Sequence, residues 1–118
     1  MKNKLIIAVD FDGTIVEHMY PFIGRERTGA LKTLKKLKDD GHRLILWTCR
    51  SGIPLADAVN FCTESGVTFD AINDNIKGIN FETSRKIYYD VLIDDRNLEW
   101  DNTAWDTIYK QIKKISSN

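Results

Sequence analysis

A chain of 118 residues has room for one domain with one ordinary core and little room for a second. Lys plus Arg number 17 and Asp plus Glu number 17, so the formal net charge is zero, and 42% of residues are hydrophobic. That composition speaks against a disordered chain and against a dedicated DNA or RNA binder, which needs surplus cations to meet backbone phosphates.

Leu5 to Val9 is a continuous apolar run rich in branched residues, too short to cross a bilayer and ended by Asp10. The preceding Met-Lys-Asn-Lys is not followed by the long apolar region of a signal peptide. Without alternation, the run predicts a central parallel strand covered on both faces. Asp10 to Thr14 supply turn residues, with Gly13 free to take backbone shapes that other residues resist. His18 to Arg27 has no period and reads as a loop or small hairpin. From Thr28 to Asp40 the spacing predicts a helix with Ala30, Leu31, Leu34 and Leu37 on one face, stopped by Gly41.

Leu44 to Trp47 is a second buried strand, leading into Thr48-Cys49-Arg50. A second helix runs from Pro54 to Ser65, with Leu55, Ala58, Val59 and Cys62 along one side and Gly66 at its end. Val67 to Ile72 predicts a third short strand, and residues 73–90 give no clear pattern beyond a turn or two of helix. Val91 to Ile93 is a fourth strand ending at Asp94-Asp95. The last helix places Trp105, Ile108, Ile112 and Ile115 at spacings of three and four, with Lys110, Lys113 and Lys114 near its C-terminal end. Strands alternating with helices predict an α/β chain: a single Rossmann-like, three-layer domain with a mostly parallel sheet. The two cysteines, Cys49 and Cys62, form no CxxC motif and are expected as reduced thiols in the cytoplasm.

Polar residues fall where strands end. Asp10 and Asp12 follow the first strand, Thr48 and Arg50 the second, Asp94 and Asp95 the fourth. In an open parallel sheet those ends share one edge, where ligand crevices form. Two carboxylate clusters there would repel, and a hard divalent cation with oxygen ligands, magnesium above all, resolves the repulsion. Capping of turns explains any single Asp as well, but not the whole constellation. The arrangement predicts Asp10 as a nucleophile toward phosphorus and Asp12 as the acid and base that serves the leaving oxygen and then water. Asp10, the main-chain carbonyl of Asp12, and Asp94 are the expected metal ligands. Asp95 and Thr14 support them, with Asp95 outside the direct shell or bound through water. Thr48 and the N–H groups beside it, including that of Cys49, are expected at the phosphoryl oxygens. The Cys49 thiol itself reads as a small buried hydrophobe. Arg50 is divided between a phosphate contact and a structural carboxylate.

Asp10-Phe11-Asp12-Gly13-Thr14 resembles the first motif of the haloacid dehalogenase (HAD)-like phosphatases. Leu44-Ile45-Leu46-Trp47-Thr48 is similar to their second motif, and Val91-Leu92-Ile93-Asp94-Asp95 to their acidic fourth. The resemblance spans nearly the whole chain and keeps the motif order. It implies Asp10 as nucleophile, Asp12 as acid/base, Thr48 on phosphate and Asp94 on magnesium. The family also uses a lysine upstream of the fourth motif. Lys86, within Ser84-Arg85-Lys86-Ile87, resembles the pattern of small capless members, and Lys77 is its rival.

The intervals between motifs leave no space for a cap domain, so short loops or a neighbouring subunit would select substrate, with His18, Tyr20, Arg25 and Arg50 as candidates. The leading expectation is hydrolysis of a small phosphomonoester, with no nucleic-acid or membrane partner. A phosphatase for nucleotides, polynucleotide ends or phosphoproteins is the alternative, and a non-catalytic metal-dependent binding module a third reading. Exposed apolar surface beside the crevice would point to a homo-oligomer.

Overall fold

The computed structural model describes residues 3–117. Among these, four strands form one all-parallel sheet: β1 (Ile6–Val9), β2 (Arg43–Leu46), β3 (Ala71–Ile72) and β4 (Val91–Ile93). Their order across the sheet is β3-β2-β1-β4. The helices are α1 (Ala30–Asp39), α2 (Gly52–Glu64) and α3 (Trp105–Ser116), with a short 3-10 turn at Trp100–Asn102.

β1 lies inside the sheet, which explains its unbroken apolar run: all of its residues are buried. Ile7 and Val9 join Leu44 and Leu46 against Leu34 and Leu37 of α1, Ala58 and Cys62 of α2, and Ile108 and Ile112 of α3. Ile6, Ala8 and Ile45 point the other way, where Ile76 and Ile87 cover them. The third layer is therefore the chain between β3 and β4, which holds no helix or strand. Side chains organise it instead. Asn75 donates to Thr83 Oγ1 at 2.8 Å and accepts the Tyr88 N–H at 2.7 Å, while Phe81 and Tyr88 meet edge to face at 5.4 Å.

Some boundaries move from those expected, each for a local reason. α1 starts at Ala30 because Gly29 is left-handed, with φ 82°. β3 keeps only Ala71–Ile72 of the expected 67–72 strand. Just before it, the Asp70 carboxylate accepts the Leu44 N–H at 2.8 Å and the Lys38 ammonium at 2.9 Å, so a side chain replaces a ladder bond. The 18–27 segment closes as a small hairpin, in which Glu17 N–H donates to Arg25 O and Arg27 N–H to Ile15 O, both at 2.8 Å.

No helix among the described residues is long and apolar enough to cross a membrane. The chain lays β1, β2 and β3 toward one side and then returns to place β4 against the other edge of β1. Such a reversal opens a crevice beyond the C-terminal strand ends. Residues 10–29 and 73–90, flanking it in sequence, contain no folded insert.

Candidate active site

Val9 of β1 sits opposite Ile93 of β4, so the next residue on each strand, Asp10 and Asp94, emerges at the same edge. The Asp10 N–H closes the ladder by donating to Ile93 O at 2.9 Å. Carboxylate oxygens of Asp10, Asp94 and Asp95 all lie within 4.8 Å of one another. Asp95, expected only in support, is one of the three. Thr14 ties the group together. Its hydroxyl lies 3.0 Å from Asp10 Oδ2 and 3.2 Å from Asp95 Oδ1, and accepts the Asp95 N–H at 2.8 Å. Gly13, at φ 85°, keeps this packing open, since a Cβ there would run into Asp95 and His18.

Three carboxyl groups this close cannot all ionise without help. Burial, the hydrogen bond to Asp95 and the charge of Asp94 push Asp10 up to about 8. Asp95 moves the opposite way. Burial opposes its charge, but hydrogen bonds from Asp10, Thr14 and His18 outweigh that and hold it below its usual value. A proton held in this cluster therefore favours Asp10 over Asp95. A hard divalent cation would answer the same repulsion, and an all-oxygen donor set suits magnesium, manganese or calcium better than zinc.

Asp12 is not part of this cluster. Its carboxylate is clamped by Arg50, with Nε to Oδ2 at 2.8 Å and Nη2 to Oδ1 at 2.7 Å. Arg50 is only 2% exposed. Its remaining donors reach Pro21 O, Pro54 O and Phe22 O at 3.2, 3.0 and 2.8 Å. All five guanidinium N–H groups are thereby committed. Of the two roles open to Arg50, phosphate contact and structural partner, the structure takes the second. The side-chain carboxylate of Asp12 is not among the three that approach one another, so its main-chain carbonyl stays the expected donor.

Thr48 and Cys49 follow β2 at the same edge. The Thr48 N–H donates to Asn73 Oδ1 at 2.8 Å, and the Arg50 N–H donates to Thr48 Oγ1 at 3.1 Å. The Thr48 hydroxyl proton and the Cys49 N–H remain for an incoming anion. Contrary to the expected burial, Cys49 is exposed. Asn73 carried no motif. Its only sequence signal was its position directly after the third strand.

Asp10, Asp12, Thr48, Cys49 and Asp94 line one cavity of about 520 Å³, with His18, Tyr20, Trp47 and Arg96. Lys77 and Lys86 do not. Both are exposed, and the Lys86 ammonium sits 5.6 Å from the centre of the Tyr89 ring. The cation on this cavity is Arg96, passed over in the sequence although it directly follows the second acidic pair. Arg25 and Arg27 line a different and larger groove of about 960 Å³ between α1 and α3. The smaller cavity is the one that Asp10, Asp12 and Asp94 line.

No family model matches the sequence, and no curated protein matches it. A solved structure does. It is that of a conserved protein coded by a locus of Bacteroides thetaiotaomicron, with a TM-score of 0.86 and 45% sequence identity, covering 96% of this chain and 93% of that one.

Proposed function

We propose that this chain, which belongs to the same family as the conserved Bacteroides thetaiotaomicron protein, is a HAD-like, magnesium-dependent phosphatase acting on small phosphomonoesters. One observation carries the reading: Asp10, Asp94 and Asp95 bring oxygens within 4.8 Å of one another, and two of them, Asp10 and Asp94, line a cavity together with Asp12 and Thr48.

In the first step Asp10, having released its proton to solvent, forms a bond from a carboxylate oxygen to phosphorus while the bond from phosphorus to the ester oxygen breaks, giving an aspartyl-phosphate. Asp12, carrying the proton it takes from water at the end of the preceding turnover, gives it to the departing oxygen. Water then attacks the same phosphorus, Asp12 takes the water proton, and the Asp10–phosphorus bond breaks to release inorganic phosphate. Each Asp12 oxygen keeps a second lone pair beyond its bond to Arg50, so the clamp orients the carboxylate without blocking it. The Thr48 hydroxyl and the Cys49 N–H hold phosphoryl oxygens, and Arg96 offsets charge developing on them. Asp10, Asp94, Asp95 and the Asp12 carbonyl would hold magnesium, which supplies charge neutralisation at the phosphoryl group.

Substrate choice rests on short segments. Tyr20 lines the cavity, and its neighbours Met19 and Phe22 are exposed apolar residues on the loop whose carbonyls bind Arg50. Two free thiols, one of them exposed, suit a reducing compartment, and we read the cytoplasm as its place of action. The test is hydrolysis of p-nitrophenyl phosphate that requires magnesium and is lost in Asp10→Asn. Failure to hydrolyse any phosphate ester with metal bound would overturn the reading.

A further inference from the structure

The groove between α1 and α3, about 960 Å³, is lined by Lys32 and Lys36 of α1 and by Lys110 and Lys113 of α3. None of these lysines has a carboxylate partner among the described residues. Lys36 rests its ammonium on the Tyr109 ring, 4.0 Å from the centroid. The groove's own carboxylates are bound by other groups than these lysines: Glu17 lies 3.7 Å from Arg25, Glu26 accepts the Leu31 N–H at 3.0 Å, and Asp106 accepts the Thr107 N–H at 2.8 Å. A chain of zero net charge has gathered surplus cations in one concavity.

α1 and α3 both begin in the groove wall at Gly29 and Ala104, where the Glu26 and Asp106 carboxylates already meet first-turn N–H groups. Thr33 is the more specific sign. A helical threonine commonly bonds back to the carbonyl four residues earlier, yet the Thr33 hydroxyl has no partner among the described residues, although the residue is only 7% exposed and lines the groove. Among the described residues no buried side-chain polar atom lacks a partner, so the Thr33 hydroxyl opens to solvent in the groove, where it is free to turn toward an anion.

We propose that this groove is a binding site for a small anion carrying several phosphate groups. Ammonium groups on flexible stems follow an extended chain of phosphates, and the Thr33 hydroxyl supplies the fixed hydrogen bond that a diffuse lysine patch lacks. The site is separate from the Asp10 carboxylates and stands whether or not they are catalytic.

Isothermal titration of the full chain with inorganic tripolyphosphate, without magnesium, tests it. We expect one-to-one binding that weakens with added salt, falls by about tenfold or more in Lys36→Glu/Lys113→Glu, and falls by about threefold in Thr33→Val. Asp10→Asn should bind as the parent does. Absence of binding overturns the proposal, as does binding that ignores the lysine reversals. Loss in Asp10→Asn would move the anion to the carboxylate cavity. Indifference to Thr33→Val would reduce the groove to non-specific surface charge, which also overturns it.

Discussion

Arg50 meets Asp12 edge on, through two nearly equal hydrogen bonds of 2.7 and 2.8 Å. The arginine side chain is 1% exposed and the aspartate side chain 14%, so neither charge has much water to fall back on. Breaking one side of such a pair leaves the other buried and unmatched, at a cost of about 3–5 kcal/mol. We expect Arg50→Ala to lower stability by that amount in urea unfolding. Part of the loss should come from the loop and the start of α2, whose carbonyls the guanidinium also holds. The double variant with Asp12→Ala should lose clearly less than the sum of the two single changes. Strict additivity would mean that the pair is not what the arginine supports.

Thr14 gives a second handle, this time on the proposed metal site. Its hydroxyl reaches Asp10 and accepts the Asp95 N–H, so it fixes two of the three oxygens that would surround a cation. Thr14→Val keeps the shape and removes the bonds. Groups that orient metal ligands typically contribute about 10–100-fold to affinity or activity. We expect a loss in that range for magnesium binding, measured by titration at constant pH, with the fold retained by circular dichroism. Unchanged affinity would remove Thr14 from the site.

The proton on Asp10 makes metal binding depend on pH. Asp10 is pushed up to about 8, chiefly by burial, whereas an unfolded chain releases that proton near the ordinary carboxylate value. The folded state without metal therefore binds the proton more tightly. Its stabilisation is complete below the unfolded value and is lost as pH rises toward about 8. A cation must displace this proton, so apparent affinity should rise by up to about tenfold per pH unit until about pH 8. Thermal shifts with and without magnesium at pH 6 and pH 8 read both effects. We expect the metal-free midpoint to fall and the magnesium increment to grow, and an increment independent of pH would place the proton elsewhere.

How far the sequence could be read tracks the range of the forces involved. β1 and the acidic residues at the ends of β1 and β4 were plain because apolar runs and strand-end carboxylates are local signals, and the sheet order brings the latter together. Arg50 was harder. Its proximity to Thr48 in sequence suggested phosphate, but its partners lie on the Asp12 turn, the 18–27 hairpin and the start of α2, contacts that no periodicity encodes. Residues 73–90 were opaque for a related reason. Ile76 and Ile87 anchor that layer to the sheet, while bonds such as those of Asn75 replace a regular ladder.

The cation that the proposed reaction needs opposite a phosphoryl group separates the pattern of the HAD-like phosphatases from this chain's own geometry. The resemblance calls for a lysine before the fourth motif, and Lys86 fits that spacing. Yet Lys86 sits on Tyr89, Lys77 is exposed, and among the described lysines and arginines Arg96 is the one that shares the cavity with Asp10 and Thr48. The Arg96 N–H also donates to Asp94 Oδ1 at 2.8 Å, which couples the start of its side chain to a metal-site carboxylate. A donor that meets charge developing in the transition state is worth about 100-fold or more in rate. We expect Arg96→Ala to lower kcat/KM for p-nitrophenyl phosphate by about that factor, and Lys77→Ala and Lys86→Ala to stay within about threefold of the parent, as solvated lysines do. Arg96→Lys should recover part of the loss, because charge matters here as well as the planar shape of the guanidinium. A collapse in Lys86→Ala beside a mild Arg96→Ala would reverse the assignment, and would require the 73–90 layer to move its lysine into the cavity when substrate binds.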